Sequence, residues 1–95
     1  MRGDGGSADL SAVRYLVMSV RTPQFQTSVI DAHHAFLEDL RAQGKLEMSG
    51  PFSDKSGGAY LVSAASMEEA IAIVHSDPVH TSGSSNVTVY EWHAK

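Results

Sequence analysis

LEMSGPFSDKSGGAYLVSA, residues 46 to 64, reads as two strands folded back on each other. Leu46–Phe52 is strand two. It bends at Gly50-Pro51, and a proline that cannot donate to a ladder belongs on an edge. Asp54-Lys55-Ser56-Gly57-Gly58 supplies the turn, and the Gly pair has no helix behind it that would make a phosphate loop. Ala59–Ala64 is strand three. Helical patterns flank this hairpin on both sides. Upstream, from about Thr27 to Gln43, Val29, His33, Phe36, Leu37 and Leu40 recur at helical spacing. Gly44 stands where a helix commonly ends in the left-handed conformation. Downstream, Ser66-Met67-Glu68-Glu69 is a capping box, in which Ser66 and Glu69 satisfy free amides of the first turn. That second helix carries Ala70, Ile71 and Val74 on one face and stops at Asp77-Pro78. The outermost elements are strands, Val13–Val20 and Asn86–His93, rich in β-branched and aromatic residues.

The order is therefore βαββαβ, the split arrangement of a ferredoxin-like α+β domain. Right-handed crossovers give a four-stranded antiparallel sheet in the order 4-1-3-2 with both helices on one face. Residues 1–11 form a flexible N-terminal tail, and 12–95 form the domain. Strand one is apolar on both sides, with Val13, Tyr15 and Val17 alternating with Leu16, Met18 and Val20. Strand four sets Val87 and Val89 against Tyr90 and Trp92. Two helices cover one face only, so the other is expected to pack against a second copy as a homodimer.

Composition narrows the partners. The 95 residues include seven Lys and Arg, eleven Asp and Glu and no Cys, for a net charge of −4. The basic residues lie singly, with no stripe for a phosphate backbone and no basic helix face for lipid, so neither nucleic acid nor a membrane is an expected partner. The longest apolar run, Tyr15–Met18, is too short to span a bilayer, and no secretory leader is visible. Absent cysteine removes disulfides and thiolate zinc sites and fits a cytoplasmic protein. A small molecule remains as the expected ligand.

His33 is the chemical anomaly, an ionisable ring within an apolar helical stripe. His34, about 100° further round, faces elsewhere. Tracing the chain up and down the sheet brings the start of helix one and the end of helix two to the same end. His33 and Asp77 therefore meet there, beside Ser49, Gly50, Pro51 and Phe52 at the end of strand two. A histidine beside a carboxylate is the usual build of a general base, because the carboxylate fixes the tautomer and raises the basicity of the far nitrogen. The plain alternative is a core histidine satisfied by one backbone carbonyl. His33, Asp77 and His80 could converge on a metal, but no H-x-x-x-H or H-E-x-x-H spacing supports one, and neither metal nor cofactor is expected. Nucleophilic catalysis is disfavoured, since Ser49 lacks the G-x-S-x-G elbow. Two classes stay open, a cofactor-independent lyase or isomerase and a non-catalytic binding or regulatory module using the same cleft.

From Val13 to Lys95 the chain resembles the YCII-related (YciI-like) proteins, small members of the dimeric α/β-barrel group. The matching pieces run in order: His33 followed by Phe36-Leu37-Glu38-Asp39-Leu40, then Gly44-Lys45-Leu46, then Ser49-Gly50-Pro51-Phe52-x-Asp54. Ser66-x-Glu68-Glu69-Ala70 and Asp77-Pro78 with Gly83 complete the set. The resemblance implies a His/Asp-centred site with His33 and Asp77 as catalytic residues, and a homodimer, but supplies no reaction. Ser49, Gly50, Pro51, Phe52 and His80 are the expected substrate-binding residues, and isomerisation or elimination on a cyclic or phenolic molecule is the chemistry that needs little beyond such a dyad. Some relatives are linked to dehydrochlorination of aromatic rings. Two positions depart from the family pattern: Ile30 stands where relatives often carry arginine, and Val79 where they often carry an aromatic.

Overall fold

The computed structural model describes residues 13–94; the expected tail, residues 1–11, lies outside them. The elements are β1 (Val13–Arg21), α1 (Val29–Ala42), β2 (Leu46–Pro51), β3 (Gly57–Ala64), α2 (Met67–Val74), α3 (Pro78–Thr81) and β4 (Ser85–Trp92). The sheet is antiparallel with the order β2-β3-β1-β4, the expected ferredoxin-like arrangement read from the other edge. No helix among the described residues is long and apolar enough to cross a membrane.

Local rules place most boundaries. Gly44 has φ of 75° and ends the α1 segment, a conformation in which a side chain would be strained. The Ser66 hydroxyl accepts the Glu69 N–H at 3.1 Å, while the Glu69 carboxylate takes the amide of Ala65, one residue earlier than a strict capping box requires. Two boundaries differ from the sequence reading. Helix α1 begins at Val29, after a turn through Thr27 and Ser28. Helix α2 ends at Val74, and Asp77 caps a separate single-turn helix, α3. Pro78 lacks the N–H that a longer α2 would need, and it favours the first position of a new helix.

The core lies between the sheet and the helices. Val17, Leu46, Tyr60 and Val62 project from the sheet onto Leu37, Leu40 and Val74, with Tyr15, Ala64 and Ala70 alongside. Each fully buried Leu or Val contributes about 1.5–3 kcal/mol. Ile71 was expected on the buried face of α2 but is exposed; Ala70 and Val74, four residues apart, define the buried stripe, with Ile73 half-buried beside them.

One irregularity positions the site. Leu46 pairs with Val62, but Met48 pairs with Leu61, so β2 carries one extra residue. That bulge reverses the alternation downstream. Met48 turns to the outer face, while Ser49 and Pro51 register with Tyr60 and Gly58 on the helix side. Among the described residues none covers the outer face at Met48, Tyr90 and Trp92, which are 64%, 53% and 45% exposed there.

Candidate functional site

The site is assembled around Asp77. As the residue before a proline it is held extended, with φ −65° and ψ 129°, and its Oδ1 accepts the Val79 N–H at 3.0 Å, capping α3. The same Oδ1 lies 2.9 Å from Nδ1 of His33, and Oδ2 accepts the Tyr60 hydroxyl at 3.0 Å. Asp77 has no exposed surface, so all three donors satisfy a carboxylate removed from water. Burial first, then the charge of Asp77 and its hydrogen bond, pushes the Tyr60 hydroxyl well above its ordinary value, which keeps Tyr60 a donor.

His33 is about one-fifth exposed along its side chain. A carboxylate only accepts, so the short contact suits a proton on Nδ1, and in the neutral ring that leaves the lone pair on Nε2. The ring lines a cleft of about 300 Å³ between α1 and the ends of β1, β2 and β3. Ser49, Gly50 and Pro51 line the same cleft, as the topology implied. Phe52 and His80 do not. Phe52 lines a second, apolar hollow of about 330 Å³ with Leu16, Met48, Leu61 and Trp92. His80 stacks on His75, their centroids 4.2 Å apart and their planes within 8°, so it does not join His33 and Asp77.

Sequence reasoning missed six residues here. Tyr60 was read only as a strand residue, although its alternation with Val62 is a sign that it faces the helices. His34 was expected to face elsewhere, yet it lines the cleft with its ring centroid 6.0 Å from that of His33. The cleft is wide enough at its mouth to take in the next residue round the helix. Arg21 closes β1, one residue past the strand end expected at Val20, and Phe25 comes from the β1–α1 connection, where no periodicity exists to read. Gly57 and Gly58, taken as turn residues, open β3 instead. A Cβ on Gly57 would sit 1.9 Å from the Ser19 carbonyl oxygen, so only glycine lets β3 approach β1 at the cleft floor.

Comparison with known proteins places this geometry. YjpA of Bacillus subtilis (strain 168), itself uncharacterised, is 47% identical over 81 residues, covering 85% of this chain and 95% of YjpA. Among solved structures, 5-chloro-2-hydroxyhydroquinone dehydrochlorinase (TftG) from Burkholderia phenoliruptrix AC1100, in complex with 2,5-dihydroxybenzoquinone, superimposes with a TM-score of 0.67 at 26% identity. That match covers 86% of this chain and 95% of the dehydrochlorinase. MtbAldR shares the fold alone, with a TM-score of 0.60 at 11% identity over all of this chain and 62% of its own. The YCII-related domain family matches residues 13–93, the full βαββαβ unit with Asp77 and His33 inside it, and the chain belongs to that family.

Proposed function

We propose that the protein is a small cofactor-independent enzyme that uses His33 as a general base, oriented by Asp77, on a cyclic or phenolic molecule. The observation that carries this reading is the 2.9 Å contact between a part-exposed imidazole and a fully buried carboxylate. Nε2 takes a proton from a ring carbon or a phenolic hydroxyl, and Asp77 stabilises the imidazolium that forms. In an isomerisation the proton returns to another atom of the substrate. In a dehydrochlorination the electron pair released expels chloride, and the proton passes to solvent. General-base assistance of this kind contributes roughly 10²–10⁴-fold. The likeness to a dehydrochlorinase supports the same reading.

A screen of lactones and of hydroxylated or chlorinated aromatics against wild type and His33→Ala tests it. Turnover that the variant loses by about a hundredfold or more, with its fold intact, is the expected result. Binding without turnover would instead assign the cleft to a ligand-holding or regulatory role.

The functional unit we propose is a homodimer formed through the outer sheet face. Met48, Tyr90 and Trp92 stand exposed on that face, and Met48 and Trp92 line the second apolar hollow. Pairing two such faces across a two-fold axis buries both.

A further inference from the structure

The cleft wall carries one fixed charge, that of Arg21. Among the described residues that line it there is no Asp or Glu, whereas Arg21, His33 and His34 all reach it. Asp77 lies behind this wall, with its lone pairs committed to Val79, His33 and Tyr60. Arg21 is exposed at the rim, and its Cζ sits 4.1 Å from the centroid of the Phe25 ring. Among the described residues no carboxylate pairs with it. Stacking occupies the face of a guanidinium and leaves its in-plane N–H groups free, the geometry that meets a carboxylate with two parallel hydrogen bonds. The remaining lining mixes apolar Ile30, Leu37, Pro51 and Val79 with the hydroxyl-bearing Ser19, Ser49 and Ser85, and about 300 Å³ is the space for a small ligand.

We propose that the cleft selects a small cyclic compound bearing a carboxylate, with Arg21 as the anion-binding residue, its guanidinium held in place by Phe25. This deepens the functional reading above and rests on the same cleft, but its test needs no turnover.

The probes are 2-hydroxybenzoate and its neutral counterpart 2-hydroxybenzamide, titrated into the full chain by NMR. Wild type is expected to bind the carboxylate about tenfold or more tightly than the amide, as a charge-assisted pair implies. Arg21→Gln should bring that ratio close to one by weakening the carboxylate alone, while Arg21→Lys keeps part of the preference. Equal binding of the two probes, no carboxylate binding at millimolar concentration, or a preference that survives Arg21→Gln each overturns the proposal. Loss of turnover in His33→Ala alongside any of these would leave the general-base reading standing and this one refuted.

Discussion

His33 and Asp77 stand 44 positions apart in the chain and meet at 2.9 Å, at the one corner where α1 begins and α3 is capped. Asp77 does two things there with one carboxylate. It caps a helix, which fixes its own position, and from that fixed position it orients an imidazole. The buried hydroxyl of Tyr60 completes the arrangement. Each of the three donors would be left without a partner if the carboxylate were removed, so stability and orientation are linked at this residue.

Asp77→Ala is therefore expected to destabilise the fold by about 3 kcal/mol, since buried donors left unsatisfied cost roughly 1–3 kcal/mol each and water re-enters part of the site. Asp77→Asn keeps the shape and should lose about half as much, on the same grounds. Urea unfolding of the two variants checks the order. Equal stability of wild type and Asp77→Ala would show that the three contacts contribute nothing.

Tyr60→Phe separates the hydroxyl from the ring. Tyr60 titrates higher in the folded chain than in the unfolded one, because of burial and the neighbouring Asp77 charge. The sign follows: its contribution is complete below about pH 10, the ordinary tyrosine value, and declines above it as the unfolded state alone releases the proton. Wild type should lose stability above about pH 10 more steeply than Tyr60→Phe, by up to about 1.4 kcal/mol per pH unit. Parallel alkaline limbs for the two proteins would contradict this.

Two glycines should respond differently to alanine. Gly44→Ala meets open space but must hold a positive φ, at a cost of about 1–2 kcal/mol. Gly57→Ala would set a methyl group 1.9 Å from the Ser19 carbonyl oxygen, and β1 and β3 must separate to admit it. It is expected to be the more damaging change, by at least about 1 kcal/mol, as overpacked sites are. Thermal unfolding ranks the pair.

The outer face offers a test of assembly. Trp92→Glu places a charge on an apolar surface that a dimer would bury, and it should leave the protomer folded but shift light scattering from about 20 kDa towards the chain mass of 10.2 kDa. A wild-type protein that is monomeric at micromolar concentration would remove the dimer from the account.

Much of the fold was legible because it is written locally. Gly44, the Ser66 cap and the alternating apolar residues of β1 and β3 each declare themselves within a few positions of the chain. The convergence of His33 and Asp77 followed from topology once the element order was known. What escaped was set by register and by loops. The extra residue in β2 is visible only when β3 is laid beside it, yet it decides that Ser49 and Pro51, and not Met48, face the helices. His80 looked like a neighbour of Asp77 by sequence distance, but the new turn of helix after Pro78 carries it away to stack on His75. Arg21 closes β1 one residue past its expected end and Phe25 lies in a connection that obeys no period, and only the folded chain brings them to the cleft.

The central claim is that Asp77 holds the proton of His33 on Nδ1 and so keeps Nε2 free to act as the base. Long-range ¹H–¹⁵N correlation of the His33 ring in wild type, at a pH where the imidazole is neutral, tests it directly. The account expects a single Nδ1–H tautomer, with Nε2 showing the shift of an unprotonated nitrogen, and loss of that preference in Asp77→Asn. A ring that carries its proton on Nε2, or averages freely between the two tautomers in wild type, would contradict it.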